Sequence, residues 1–188
     1  MLNLLLIIPA IGALGTLLLP HKKSNLIKNL SLAVSLITFI LSLTLLFKFD
    51  SQMSQMQFIE NKIWFEVGPV NVHYHIGIDG LSLFLVLLTT FLFPISILAS
   101  WHIKTNIRSY MFLLLLLEMG IIGVFIALDL ILFYVFWEVT LIPMYFLIGI
   151  WGGKQRIYAT VKFFIYTMAS SLLMLAAIIP LYFLNPSK

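Results

Sequence analysis

The 188-residue sequence contains no cysteine, which removes disulfides, thiolate metal sites and cysteine nucleophiles from the chemistry open to it. Charge is scarce as well. Charged residues make up 10% of the chain and hydrophobic residues 62%, with a mean hydropathy of +1.10, against roughly 45–50% apolar and 25% charged in a soluble domain. That balance predicts an all-α integral membrane protein, because helices satisfy their own backbone groups in lipid. No Ser/His/Asp constellation, haem-spaced histidine pair or nucleotide fingerprint occurs. Gly152-Gly153 lacks both the spacing of a phosphate loop and a preceding strand, and reads as a tight turn. His73-Tyr74-His75 puts two imidazoles on one strand face without a third ligand, so no metal is expected there. No internal repeat or low-complexity segment is evident.

What the chain does have is long apolar runs. About 20 residues cross the hydrocarbon of a bilayer, and six segments qualify, at 2–20, 26–47, 79–101, 110–128, 130–151 and 157–184. Pro9, Pro94, Pro143 and Pro180 fall in or near them, which transmembrane helices tolerate. The opening MLNLLLIIPAIGALGTLLLP has no basic residue ahead of its apolar core, so it is expected to be the first span and not a removable leader.

The connections sort by charge. Those after the first, third and fifth spans carry His21, Lys22, Lys23 and Lys28, then His102, Lys104 and Arg108, then Lys154 and Arg156, with no acid among them. They belong on the inner side, which leaves both termini outside. The opposite side receives Asp50, Glu60, Glu66, Asp79 and Asp129. The net charge of +4 is then a matter of topology and contact with anionic membrane lipids, with no nucleic acid implied. The chain divides into two spans over 1–47, an outer loop over 48–78, and the remaining helices over 79–188. In the loop, Lys62–Val67 and Asn71–Ile76 flank Gly68-Pro69 and predict a short hairpin. Asp79 stands where an N-cap is wanted.

Three ionisable residues fall inside the runs: Glu118, Glu138 and Lys162. Each costs about 2.5–3.5 kcal/mol at a span centre, so a functional role is the default expectation. With a rise of about 1.5 Å per residue, Glu138 lies about 14 Å from the outer surface, Glu118 about 12 Å from the inner one and Lys162 about 7 Å inside. The two carboxylates are therefore expected at similar depths, with the Lys162 level about 9 Å from that of Glu138. Pro143 leaves the carbonyl of Val139 without its usual donor, one turn from Glu138, where water would find a partner. For Glu118 a protonated packing group is an equal explanation, and for Lys162 the alternative is a side chain that snorkels to the inner face.

Three stretches resemble one family: GIDGLSLFLVLLTTFLFPISILASW (Gly77–Trp101), IGVFIALDLILFYVFWEVTLIPMYFLIGIWGG (Ile122–Gly153) and RIYATVKFFIYTMASSLLML (Arg156–Leu175). They are similar to subunit 4 of NADH:ubiquinone oxidoreductase, respiratory complex I, an antiporter-like membrane subunit. The resemblance implies the amino-terminal part of a bundle of about fourteen helices with two inverted repeats. It also implies a proton relay in which Glu138 is the translocating carboxylate and Lys162 the lysine of the sixth helix; Glu118, from its place inside a span, is expected to be a further member. The seventh-helix lysine and the second repeat have no counterpart here, so a second chain supplying the missing helices is expected, with a truncated sequence as the competing explanation. Other membrane-arm subunits are the remaining partners. No cofactor is expected on this chain; NADH, FMN, iron–sulfur clusters and ubiquinone are implied elsewhere in the complex. The alternatives are a subunit of a multi-subunit cation/proton antiporter and a non-catalytic structural membrane piece. The composition and the missing import leader point to a mitochondrial inner membrane, with a bacterial plasma membrane or a thylakoid as alternatives.

Overall fold

A computed structural model describes residues 1–20, 23–53, 55–67 and 70–184. His21, Lys22, Ser54, Gly68, Pro69 and the stretch 185–188 lie outside the described residues. The chain forms six α-helices, α1 (Leu2–Leu18), α2 (Ser24–Lys48), α3 (Gly80–Ala99), α4 (Ile107–Ile126), α5 (Leu130–Trp151) and α6 (Arg156–Leu184), with an antiparallel hairpin, β1 (Gln57–Val67) and β2 (Val70–Ile78), between α2 and α3. Five helices are long and apolar enough to cross a membrane, and α1, at 17 residues, is the shorter one. It stops at Leu18 because Leu19 precedes Pro20, and the proline ring drives the residue before it out of the helical region; Leu19 is extended, at φ −77° and ψ 143°. Pro9, Pro94, Pro143 and Pro180 lie within helices that continue through them.

The hairpin is longer than its most β-rich residues suggest. A register shift after Gln57 carries Phe58 at a φ of 56° and lets its ring pack against the apolar core beneath. Leu128 donates to the carbonyl of His75 at 2.8 Å, tying β2 to the short link between α4 and α5. Asn3 donates to Glu60 at 2.6 Å and accepts from the Tyr74 hydroxyl, so the start of α1 is pinned under the same hairpin. Burial, and then the nearby Glu60 charge, hold the Tyr74 hydroxyl above its ordinary pKa. It therefore remains a donor at neutral pH.

Asp79 caps α3 as its position suggests. Its carboxylate accepts from the Ser82 backbone at 2.7 Å while the Ser82 hydroxyl accepts from the Asp79 N–H at 2.8 Å. The hydrogen bond from the Ser82 backbone to the carboxylate is the largest cause of a lowered Asp79 pKa, so the stabilisation is present above the ordinary carboxylate range and is lost as pH falls through the lowered value. Asp79→Ala is expected to cost about 1 kcal/mol, and Asp79→Asn much less; thermal unfolding of the purified protein at neutral pH measures both. Asp129 caps α5 without a reciprocal side-chain bond, its carboxylate accepting from Ile131 at 2.8 Å and Leu132 at 3.0 Å.

The core has two apolar layers. One, under the hairpin, joins Leu2, Leu5, Leu45, Leu83, Ile122 and Ile126; the other joins Ala13, Ile27, Ile97, Met111, Leu114 and Leu115. Helices α1 and α2 thus share both layers with α3 and α4. The most enclosed helix is α4, 56% buried over its apolar window, against 17% for α5 and 11% for α6. The last two helices therefore present most of their apolar surface outward.

Candidate functional site

Glu118 is wholly buried, at 0% exposure, on the face of α4 that meets α2. The Ser35 hydroxyl donates to one carboxyl oxygen, Oε1, at 3.4 Å, and the other, Oε2, is buried with no partner among the described residues. Ser35 belongs to a run of buried polar side chains on one face of α2: Lys28, Ser31, Ser35, Thr38 and Ser42. Spacings of three and four residues keep them in register on a helix of 3.6 residues per turn. Ser42 shares a 2.7 Å hydrogen bond with Thr90 of α3.

Glu138 sits on a different face of the bundle. The register of α4 against α5 is set by two close approaches: a side chain at Gly120 would meet Thr140 at 2.9 Å, and one at Gly123 would overlap the Phe136 ring. Glu138 falls two residues from each of Phe136 and Thr140, so it is turned about 200° away from α4. Counting along this antiparallel pair puts it level with residues 121–122 of α4, three to four residues, or about 5–6 Å, from the Glu118 level. The two carboxyls are therefore close in depth, as expected from counting inward from each surface, yet they point to opposite sides of the α4–α5 contact.

What Glu138 does face is α6. Tyr134, one turn earlier, is set against the Glu138 carboxyl and the Ser171 hydroxyl, and Ser171 is 2% exposed. The Oε1 atom of Glu138 is buried without a hydrogen-bond partner among the described residues. Such an oxygen in an apolar setting is satisfied by a proton, a water or an approaching cation.

Lys162 is not brought to it. The contacts of Gly149 with Thr160 and of Tyr145 with Phe164, the latter with ring centroids 5.2 Å apart, set the register of α5 against α6. In that register Glu138 is level with Ser171, nine residues or about 13–14 Å along the helix from Lys162. This exceeds the roughly 9 Å obtained by counting inward from the surfaces, because α5 and α6 meet with an offset that surface counting cannot see. The Lys162 ammonium lies 5.7 Å from the Tyr158 ring and 6.0 Å from that of Tyr166, on the outward side of α6. These are cation–π distances. Among the described residues, no ion pair joins Lys162 to a carboxylate.

Lys28 differs from its reading as a loop cation. It lies in α2 at 5% exposure, donates to the Trp101 carbonyl at 2.6 Å and sits 5.6 Å from that indole ring. Its four-carbon stem is buried against α3 instead of reaching toward headgroups. The spacing of Ser31, Ser35, Thr38 and Ser42 was the available sign that this face of α2 is polar. His73 is bound to Asn61 at 2.9 Å, and among the described residues no group of three His, Asp or Glu side chains gathers to hold a metal.

Residues 1–126 match the family model described as NADH-ubiquinone oxidoreductase chain 4, amino terminus, and residues 127–187 match that described as NADH:quinone oxidoreductase/Mrp antiporter, TM. The chain is 49% identical over 155 residues to NADH-quinone oxidoreductase subunit M of Rhodobacter capsulatus, covering 82% of this chain and 30% of the relative. With NADH-ubiquinone oxidoreductase chain 4 of Chondrus crispus it shares 46% identity over 177 residues, covering 93% of this chain and 36% of the relative. It superposes on a chain of respiratory complex I from Thermus thermophilus with a TM-score of 0.78 and 28% identity, covering 95% of this chain and 35% of that one. The chain thus spans about a third of the length of the curated relatives it matches.

Proposed function

The chain belongs to the NADH-ubiquinone oxidoreductase chain 4 family, and on that footing we propose that it is the amino-terminal part of a proton-translocating membrane-arm subunit, coupling quinone reduction to proton pumping in NADH:quinone oxidoreductase. The observation that carries the reading is the unpartnered, buried oxygen of Glu138 at the middle of α5. A carboxyl in such a place takes up a proton when no cation is near and releases it when one approaches, since a nearby positive charge favours the ionised form. Alternating the two conditions moves a proton. The Tyr134 and Ser171 hydroxyls supply local hydrogen-bonding capacity, and water beside Pro143 extends it toward the inner end of the helix.

Lys162 acts within this reading from a distance. Its ammonium is about 13–14 Å along α6 from the Glu138 level, so it communicates with Glu138 through intervening water or through helices beyond this chain. Glu118 is a further member of the relay on the α2 side of α4. The electron carriers NADH, FMN, the iron–sulfur clusters and quinone sit on other subunits.

The match of residues 1–126 to the chain 4 model favours complex I over a separate cation/proton antiporter. Helices equivalent to the rest of the relatives' length cover the outward apolar face of α5 and α6. The membrane is the mitochondrial inner membrane, a reading that the eukaryotic relatives named NADH-ubiquinone oxidoreductase chain 4 favour.

Purifying the tagged chain from its native membrane tests the assignment. NADH:quinone reductase activity is expected to copurify, together with the other membrane-arm subunits. Recovery of the chain in an assembly without NADH-oxidising activity would overturn it.

A further inference from the structure

We propose that Glu118 exchanges its proton with the inner side of the membrane along the buried polar face of α2, by way of Ser31 and Ser35, on a route separate from Glu138. The proposal rests on reading the chain as part of a proton-translocating subunit, and it adds a second access route that the Glu138 chemistry does not use.

Three observations combine. First, Glu118 is completely enclosed and yet keeps one carboxyl oxygen, Oε2, without a partner. A group of that kind holds a proton or a water, and a proton that is to be exchanged needs a path through the protein. Second, the only side chain hydrogen-bonded to the carboxyl among the described residues is Ser35, a member of the buried stripe. Ser35 lies eleven residues into α2 from Ser24, and Glu118 eleven into α4 from Ile107; both are therefore about 16 Å from the same end of the bundle. Third, the stripe is uneven at its two ends. Toward the inner side it continues through Ser31, at 0% exposure, to the Lys28 ammonium, which is tied to the Trp101 carbonyl near the inner end of α3. Toward the outer side it runs through Thr38 to the Ser42–Thr90 pair and then meets Leu45, at 1% exposure, in the apolar layer under the hairpin.

The spacing suits hydroxyls bridged by water. Successive stripe residues have their Cβ atoms about 5–6 Å apart, too far for a direct hydrogen bond and right for one water with two bonds of about 2.8 Å each. Ser31 donates back to the Ile27 carbonyl at 2.9 Å, which leaves its oxygen lone pairs free to accept from such a water. A proton arriving from the inner side is handed from water to water past Ser31 and received by the ionised carboxyl at Oε2, while Ser35 continues to donate to Oε1. The return step reverses the order, so charge and atoms balance with water as the only carrier. On the outer side the hydroxyls end at the Ser42–Thr90 pair, and beyond it the apolar layer with Leu45 offers no such acceptor, which makes the path a half-channel.

The test is the hydrogen–deuterium exchange of the Glu118 carboxyl, followed by its infrared C=O band in the resting, fully assembled complex. Glu118→Gln identifies the band. Ser31→Ala and Thr38→Val each remove one hydroxyl without adding bulk, on the inner and outer sides of Ser35. Ser31→Ala is expected to slow exchange by about tenfold or more, as loss of a proton-relay group does, and Thr38→Val to leave it unchanged. Unaltered exchange in Ser31→Ala overturns the proposal, and so does slowed exchange in Thr38→Val. Because the measurement needs no turnover, it is decided separately from the Glu138 reading, which stands or falls on pumping.

Discussion

Glu138→Gln is expected to reduce proton pumping by about 10²-fold or more, the scale on which a positioned proton-transfer group acts, while the assembled subunit accumulates normally. Glutamine keeps the volume and one acceptor oxygen of the glutamate, so the packing of α5 against α6 has no reason to change. What it lacks is a titrating proton. The buried oxygen that has no partner in Glu138 becomes, in the variant, a carboxamide atom that cannot alternate between neutral and charged. NADH–quinone turnover coupled to pumping should fall with it. The measurement is proton release into vesicles carrying the purified assembly, alongside immunodetection of this chain. Full pumping in Glu138→Gln would leave the carboxyl as a packing group, with Tyr134 and Ser171 as its structural neighbours.

The contrast between Glu138 and Lys162 shows how far the one-dimensional pattern reaches. Span positions follow from hydropathy, because bilayer thickness sets a length that about 20 residues must satisfy. Caps are equally local: Asp79 is readable as an N-cap because the bond it makes runs only to Ser82. The Leu19-Pro20 pair likewise explains why α1 ends where it does. Relations between helices are another matter. Whether Lys162 reaches Glu138 depends on the axial offset of α5 and α6, which is fixed by Gly149 meeting Thr160 and by the Tyr145 and Phe164 rings. Nothing within either helix specifies that offset. Lys28 illustrates a second gap. A lysine near a span end is counted as an inner-surface charge by the positive-inside rule, but here the indole and carbonyl of Trp101 capture it. The hydroxyl stripe of α2 lies between these cases: its period marks a polar face, but only the packing of α2 against α4 brings that face to Glu118.

Gly123 is where this packing should be most fragile. In membranes, helices gain little from hydrophobic association and depend on close backbone approach at small residues. Gly120 and Gly123 provide it for α4 and α5, since a Cβ at Gly120 would come within 2.9 Å of Thr140 and one at Gly123 would fall inside contact distance of the Phe136 ring. An aromatic ring has no flexible end to swing aside. Gly123→Leu is therefore expected to cost about 3 kcal/mol, the upper part of the overpacking range, or about a hundredfold in the ratio of folded to unfolded chain. Accumulation of the subunit should fall sharply in membranes and its thermal unfolding midpoint should drop. If the clash with Phe136 is the cause, Gly123→Leu combined with Phe136→Ala restores the shared volume and should recover most of the loss, because two residues in contact couple strongly. A double variant no better than Gly123→Leu alone would mean that α4 and α5 are held together by something other than this ring on this glycine. The recovered variant also bears on function: Glu138 lies on the same helix two residues beyond Phe136, facing α6. Restoring the α4–α5 contact should therefore restore pumping in proportion to the subunit present.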